Sequence, residues 1–173
     1  MSRIITLAIA CALVAPALAQ TPAQQAVSHY QKGQAAEKAG DPSAAKEHYT
    51  QALKLDPSNA DARFSIGQLK LNSATIAAKG REAKFGAVVV PTFQLEEATL
   101  PEALAALSKI VEKESKEEVA PNFVIEDPKN VLADKKISIN LKSMPAKGVL
   151  KYLTDQVGAK TRFDEHAVVI VAK

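Results

Sequence analysis

The feature that most constrains this chain is a change of hydrophobic period near residue 87. Before it, residues 23–83 carry apolar side chains at helical spacing among Ala, Gln, Lys and Glu, with few β-branched residues. After it, the spacing alternates between about 3.6 and 2, in the order strand, helix, strand, strand, helix, strand, strand. The class is therefore α+β, with helices first and a small βαββαββ domain second.

Residues 88–95 are expected to form the first strand, with Phe93 and Leu95 on one face. Pro91 within it argues for a sheet edge or a break in the strand, because proline has no N–H to give to a ladder. Thr99 and Glu102 are spaced as a capping box, opening a helix that buries Leu100, Leu104, Leu107 and Val111, with Ala103 and Ile110 beside them. Pro121 is expected to end that helical region, and a short strand follows over residues 123–125. Ile137, Ile139 and Leu141 alternate with polar residues as a half-buried strand. Pro145 begins a helix burying Val149, Leu150, Leu153 and Val157, and Gly158 suits its C-terminal cap. Strands over residues 161–163 and 167–171 are joined by Asp164, Glu165 and His166 in a tight hairpin. The β-branched run 168–171 reads as a central strand.

The first nineteen residues have the form of an export signal: Arg3, an apolar run over residues 4–14, and Ala17-Leu18-Ala19 at a cleavage site. Cleavage there makes Gln20 the first mature residue and points to the periplasm. The run is shorter than the ~20 apolar residues of a membrane-spanning helix, so no transmembrane helix is expected in the mature chain. Cys11 offers a rival, lipidation, but Ala8-Ile9-Ala10 lacks the usual leucine three before the cysteine, and ordinary cleavage is the preferred reading. Loss of Cys11 leaves no cysteine for disulfide or thiol chemistry. With Arg3 removed, 21 basic face 19 acidic side chains, and this near-balance gives no electrostatic case for nucleic acid.

Within the helical part, Gly40-Asp41-Pro42-Ser43 stops one helix and starts the next, making a helical hairpin. Residues 56–59, Asp-Pro-Ser-Asn, make a second stop before a helix from about Ala60. The string GDPSAAKEHYTQALKLDPSNADA resembles a tetratricopeptide repeat, whose period is 34 residues. The resemblance puts Gly33, Ala45 and Ala52 at small positions and Tyr49 at the aromatic one, with Leu53 and Leu55 filling the space between the helices. His29 and Lys32 stand where the repeat often has an aromatic and a leucine. Gly67 repeats Gly33 at a spacing of 34, so residues 60–83 resemble the first helix of a second repeat whose partner is missing. One repeat and a capping helix fall short of the roughly three that make a free-standing solenoid. The part over residues 20–83 is thus expected to lean on a partner, on a second copy in a homo-oligomer, or on the domain over residues 84–173. In such repeats the inner face of the first helix binds peptide; carried over by spacing, that face implies Val27, Tyr30, Gln34, Glu37 and Lys38 as protein-binding residues. The competing reading of these five is a plain solvated face.

The strings FQLEEATLPEALAALSKI, ISINLKSMPAKGVLKYLTDQVG and RFDEHAVVIVA resemble the short N-terminal domain of secretins and TonB-dependent receptors. That resemblance implies an envelope protein partner, of a secretion or uptake system. No pore-forming or barrel segment follows up to Lys173, so channel formation and transport are not implied.

Chemistry is sparse. His29, His48 and His166 have no metal-ligand spacing, and no phosphate-binding glycine loop or nucleophile elbow occurs. No catalytic residue, cofactor or metal is expected. The function expected is noncatalytic protein interaction or assembly; the alternative is a periplasmic small-molecule binding or sensor domain, with a ligand between helix and sheet.

Overall fold

The computed structural model describes residues 20–132 and 135–173. The expected export signal over residues 1–19, with Cys11, lies outside the described residues.

Three helices come first: α1 (Pro22–Lys38), α2 (Pro42–Leu55) and α3 (Ala60–Ala87). Asp41 and Asn59 cap α2 and α3, their side chains accepting from the N–H groups of Ala44 and Ala62, both at 2.9 Å. The elbow is a full Schellman turn: Gly40 takes φ +75°, Asp41 N–H donates to Ala36 O at 2.9 Å, and Gly40 N–H donates to Glu37 O at 3.0 Å. The small positions behave as expected. Ala45 and Ala52 are buried, and a methyl group on Gly33 would lie 2.5 Å from the Tyr49 ring. Leu53 and Leu55 are only half-buried, however; the space around Ala45 and Tyr49 is filled by Leu69, Tyr30, Ala36, Ile66 and Ile76 instead. α3 turns its own leucine and isoleucines onto the hairpin, which leaves the two leucines at the end of α2 outside the cluster.

The second region runs β1 (Val89–Thr99), α4 (Leu100–Glu114), β2 (Phe123–Glu126), β3 (Lys136–Pro145), α5 (Ala146–Val157), β4 (Ala159–Phe163) and β5 (Val168–Ala172), which is the βαββαββ order expected. The strands divide into two sheets. β1 and β3 form an antiparallel ribbon, from Val89 opposite Pro145 to Thr99 opposite Lys136, with a bulge between Leu95 and Ala98 where Glu97 takes φ +50°. Pro91 sits in a strand paired on one side only, as its missing N–H requires. β5 is central in the second sheet, parallel to β2 and antiparallel to β4. One continuous core fills the space under α4 and α5, including Phe93, Leu100, Leu107, Ile137, Val149, Leu150, Leu153 and Ile170.

Several boundaries differ from expectation: β1 runs past Leu95 to Thr99, and β4 begins at Ala159 and not at Thr161. α4 ends at Glu114, before Pro121, in a Schellman turn made without glycine: Lys116 takes φ +54°, and Glu117 N–H donates to Glu112 O at 2.8 Å. The Ser115 hydroxyl accepts from Val119 N–H at 3.0 Å and holds that turn. α3 continues through residues 83 and 84, where the domain boundary was expected, and carries Phe85 into the core of the second region. There Phe85 meets Phe123 edge-on at 6.1 Å and Phe163 at 5.8 Å. Arg81 of α3 also donates to the Glu165 carbonyl, at 3.0 Å. The long helix thus belongs to both cores.

Candidate protein-interaction surface

The five residues expected on the inner face divide in two. Tyr30 and Glu37 are partly engaged inside the hairpin. The Tyr30 ring lies 5.5 Å from that of Tyr49, its hydroxyl accepts from Gln34 Nε2 at 3.2 Å, and Glu37 accepts the Tyr49 hydroxyl at 2.9 Å. Burial, then the hydrogen bond to the Glu37 carboxylate, push the Tyr49 phenol up to about 12. Val27, Gln34 and Lys38 are exposed.

Gln34, Glu37 and Lys38 line a groove of about 580 Å³ whose opposite wall is α3, contributed by Ser65, Ile76, Lys79 and Ala83. Val27 and Tyr30 are not on this groove; they stand nearer the start of α1. The floor reaches Gly40 and Gly80, and here the backbones of the elbow and of α3, the strut between the two cores, touch: a methyl group on Gly80 would lie 2.6 Å from Gly40 Cα. Neither glycine can carry a side chain without separating α3 from the hairpin. The α3 wall of the groove was not foreseen, although a glycine inside a strongly helical segment is a standing signal of close approach.

The whole arrangement has the shape of one helical hairpin packed on the next helix, with small residues at each crossing. Residues 26–59 match the tetratricopeptide-repeat family model. The match covers one repeat period and includes Gly33, Ala45, Tyr49 and Ala52 at the places just described. No curated protein and no solved structure gives a significant match to the chain. A repeat of this kind implies protein partners.

The histidines divide likewise. His29 and His48 meet across the hairpin, Nδ1 to Nδ1 at 3.4 Å and ring centres 5.6 Å apart, so one nitrogen donates and the other accepts. His48 is half-buried by this pairing. His166 is exposed at the hairpin tip, 3.8 Å from Glu165. Among the described residues no group of three or more His, Cys, Asp or Glu is placed to hold a metal, and no helix is long and apolar enough to cross a membrane.

A second concavity lies where α3 meets the α+β region. It has a volume of about 730 Å³ and apolar walls from Gly86, Gly148, Leu150, Ala159 and Phe163. Lys147, Lys151, Lys160 and Lys173 stand on its rim with Glu82 and Asp155. Lys147 pairs with Glu82 and Lys151 with Asp155, both at 2.5 Å. The hydrogen bond from Lys151 holds the Asp155 carboxyl below the usual range.

Proposed function

We propose that this chain is a noncatalytic, exported envelope protein that works by holding a partner protein through its helical repeat, alongside a module of the secretin and TonB short N-terminal kind. The observation that carries the reading is the repeat at residues 26–59, with the exposed Gln34 and Lys38 beside Glu37 on a groove that α3 closes on its far side. Such a groove suits an extended peptide: Gln34 offers an amide to main-chain groups, and Lys38 and Lys79 offer charge to acidic side chains. Val27 and Tyr30 extend the surface along α1. Export draws on the form of residues 1–19, and the envelope setting on the strings that resemble the secretin and TonB domain.

The test is site-specific photocrosslinking in intact cells with the crosslinker at position 27 or 34, after fractionation to find the mature chain. The expected result is a periplasmic protein beginning at Gln20 that crosslinks to one envelope protein, with the adduct lost on Lys38→Glu. A chain retained in the cytoplasm, or one giving no adduct at either position, sinks the proposal.

A second reading, a small-molecule binding or sensor domain, is favoured by the lysine-rimmed apolar cleft between α3, α5 and β4, whose volume falls in the ordinary range for small ligands. Native mass spectrometry of protein purified from its own cells separates the two. A retained small molecule that is lost on Phe163→Lys supports the second reading.

A further inference from the structure

The side of α3 turned away from the hairpin carries an apolar stripe that no described residue covers. Phe64 is 67% exposed and Leu71 80%, and a methyl group on Gly67 between them would have nothing within 4 Å. Ala60 and Ala74 are exposed further out on either side. Steps of four and three residues keep all five positions on one helix face. The first repeat shows what such a face accepts, because Gly33, 34 residues before Gly67, is covered by Tyr49. The position 34 residues after Tyr49 is Ala83, which lies on α3 itself, so the segment that would supply a covering helix is spent in the strut.

We propose that this face is the dimer interface of the protein: α3 of one copy crosses α3 of a second, antiparallel, with the two-fold axis at Gly67. The order of sizes carries the choice of occupant. Ala60, Phe64, Gly67, Leu71 and Ala74 read small, large, small, large, small in either direction. An antiparallel pairing centred on Gly67 therefore sets Phe64 against Leu71 of the second copy, and Ala60 against its Ala74. Such a contact is isologous and closes on itself. It covers the two most exposed large apolar side chains among the described residues, and the missing side chain at Gly67 lets the backbones approach as they do at Gly40 and Gly80. The same two-fold axis lines Arg63 of each copy beside Lys70 of the other. Arg63 is turned toward the start of its helix, donating to the Pro57 carbonyl at 2.7 Å, but the flank remains basic on both copies. Salt should therefore tighten the dimer by screening that repulsion. The interface lies on the opposite side of α3 from the Gln34 groove and does not depend on it.

Sedimentation equilibrium on the purified protein tests this. A reversible monomer–dimer equilibrium is expected, strengthened by added salt. Gly67→Gln is expected to weaken it about tenfold or more, while the monomer melts no lower, since glutamine is the better helix former and the site is open. The pair Phe64→Ser and Leu71→Ser is expected to abolish it without unfolding the chain. A protein that stays monomeric at every concentration, one whose stripe is protected only by a different protein, or a dimer that survives these substitutions or is weakened by salt, overturns the proposal.

Discussion

The two regions of this molecule bury their side chains on different scales. Among the described residues, one cluster of twenty buried side chains fills the α+β region, mostly leucine, valine, isoleucine and phenylalanine, with Phe85 of α3 among them. The hairpin has three in its own, Ala45, Tyr49 and Leu69, one of which comes from α3. At ~25 cal/mol per Å² of apolar surface the first core can support itself, whereas the second depends on close approach of helices across glycine and alanine. A large core tolerates small adjustments, while a core built on contact between backbones tolerates none at the contact points. α3 joins the two, being a wall of the small core and, through Phe85, a member of the large one.

That asymmetry can be broken most severely at Phe85. Phe85→Ala should cost about 3–5 kcal/mol, and hydrogen exchange should speed up in α1 and α2 as well as in β2 and β4, because the strut loses its anchor. Faster exchange confined to the α+β region would mean that the hairpin stands without it. Gly80→Ala comes next. Alanine normally favours a helix over glycine by about 1 kcal/mol, yet here the methyl group meets the backbone of Gly40, and a net loss of about 1–3 kcal/mol is expected in urea titrations. An unchanged midpoint would show that the elbow gives way freely.

A smaller effect follows from Tyr49. Its folded-state value of about 12 lies above the ordinary tyrosine value of 10.0, so the folded chain keeps a proton that the unfolded chain has lost between those two values. The sign is then fixed: this contribution is complete below pH 10 and is lost as pH rises toward 12. The loss should be of order 1–2 kcal/mol, read as the difference between the parent and Tyr49→Phe in alkaline melts. Equal alkaline slopes would remove Glu37 and burial as the cause. Smallest of all, Gly67→Ala should stabilise the monomer by about 0.5–1 kcal/mol, the opposite sign to Gly80→Ala on the same helix. A loss at Gly67 in the monomer would mean that something covers it.

The strands and the packed faces of the helices were legible because their signals are local. Ile137 and Ile139 point inward through a period of two, Leu100, Leu104, Leu107 and Val111 through a period near 3.6, and Gly158 ends α5 with φ +69° as a C-cap glycine should. The division into two sheets was not legible, because strand pairing joins residues as distant as Val89 and Pro145 through long connections that carry no pattern. The end of α4 was missed because Lys116 fills a position where glycine is the usual signal. In the candidate groove, the shared face of Gln34, Glu37 and Lys38 could be read from repeat spacing alone. Their counterparts Ser65, Ile76 and Lys79 belong to a helix outside the matched repeat, so no spacing rule reached them.

The contact between Gly40 and Gly80 also fixes where the strut stops along its own axis. α3 has no other glycine packed against the elbow, and its neighbours in sequence at that height are Lys79 and Arg81. A slip of one residue in either direction would bring one of those long side chains under Gly40, where even a methyl group is too large. The glycine pair therefore works as a detent: it indexes a helix of 28 residues to one axial position, and through Phe85 sets how far the repeat stands from the sheet that the far end of the same rod helps to build.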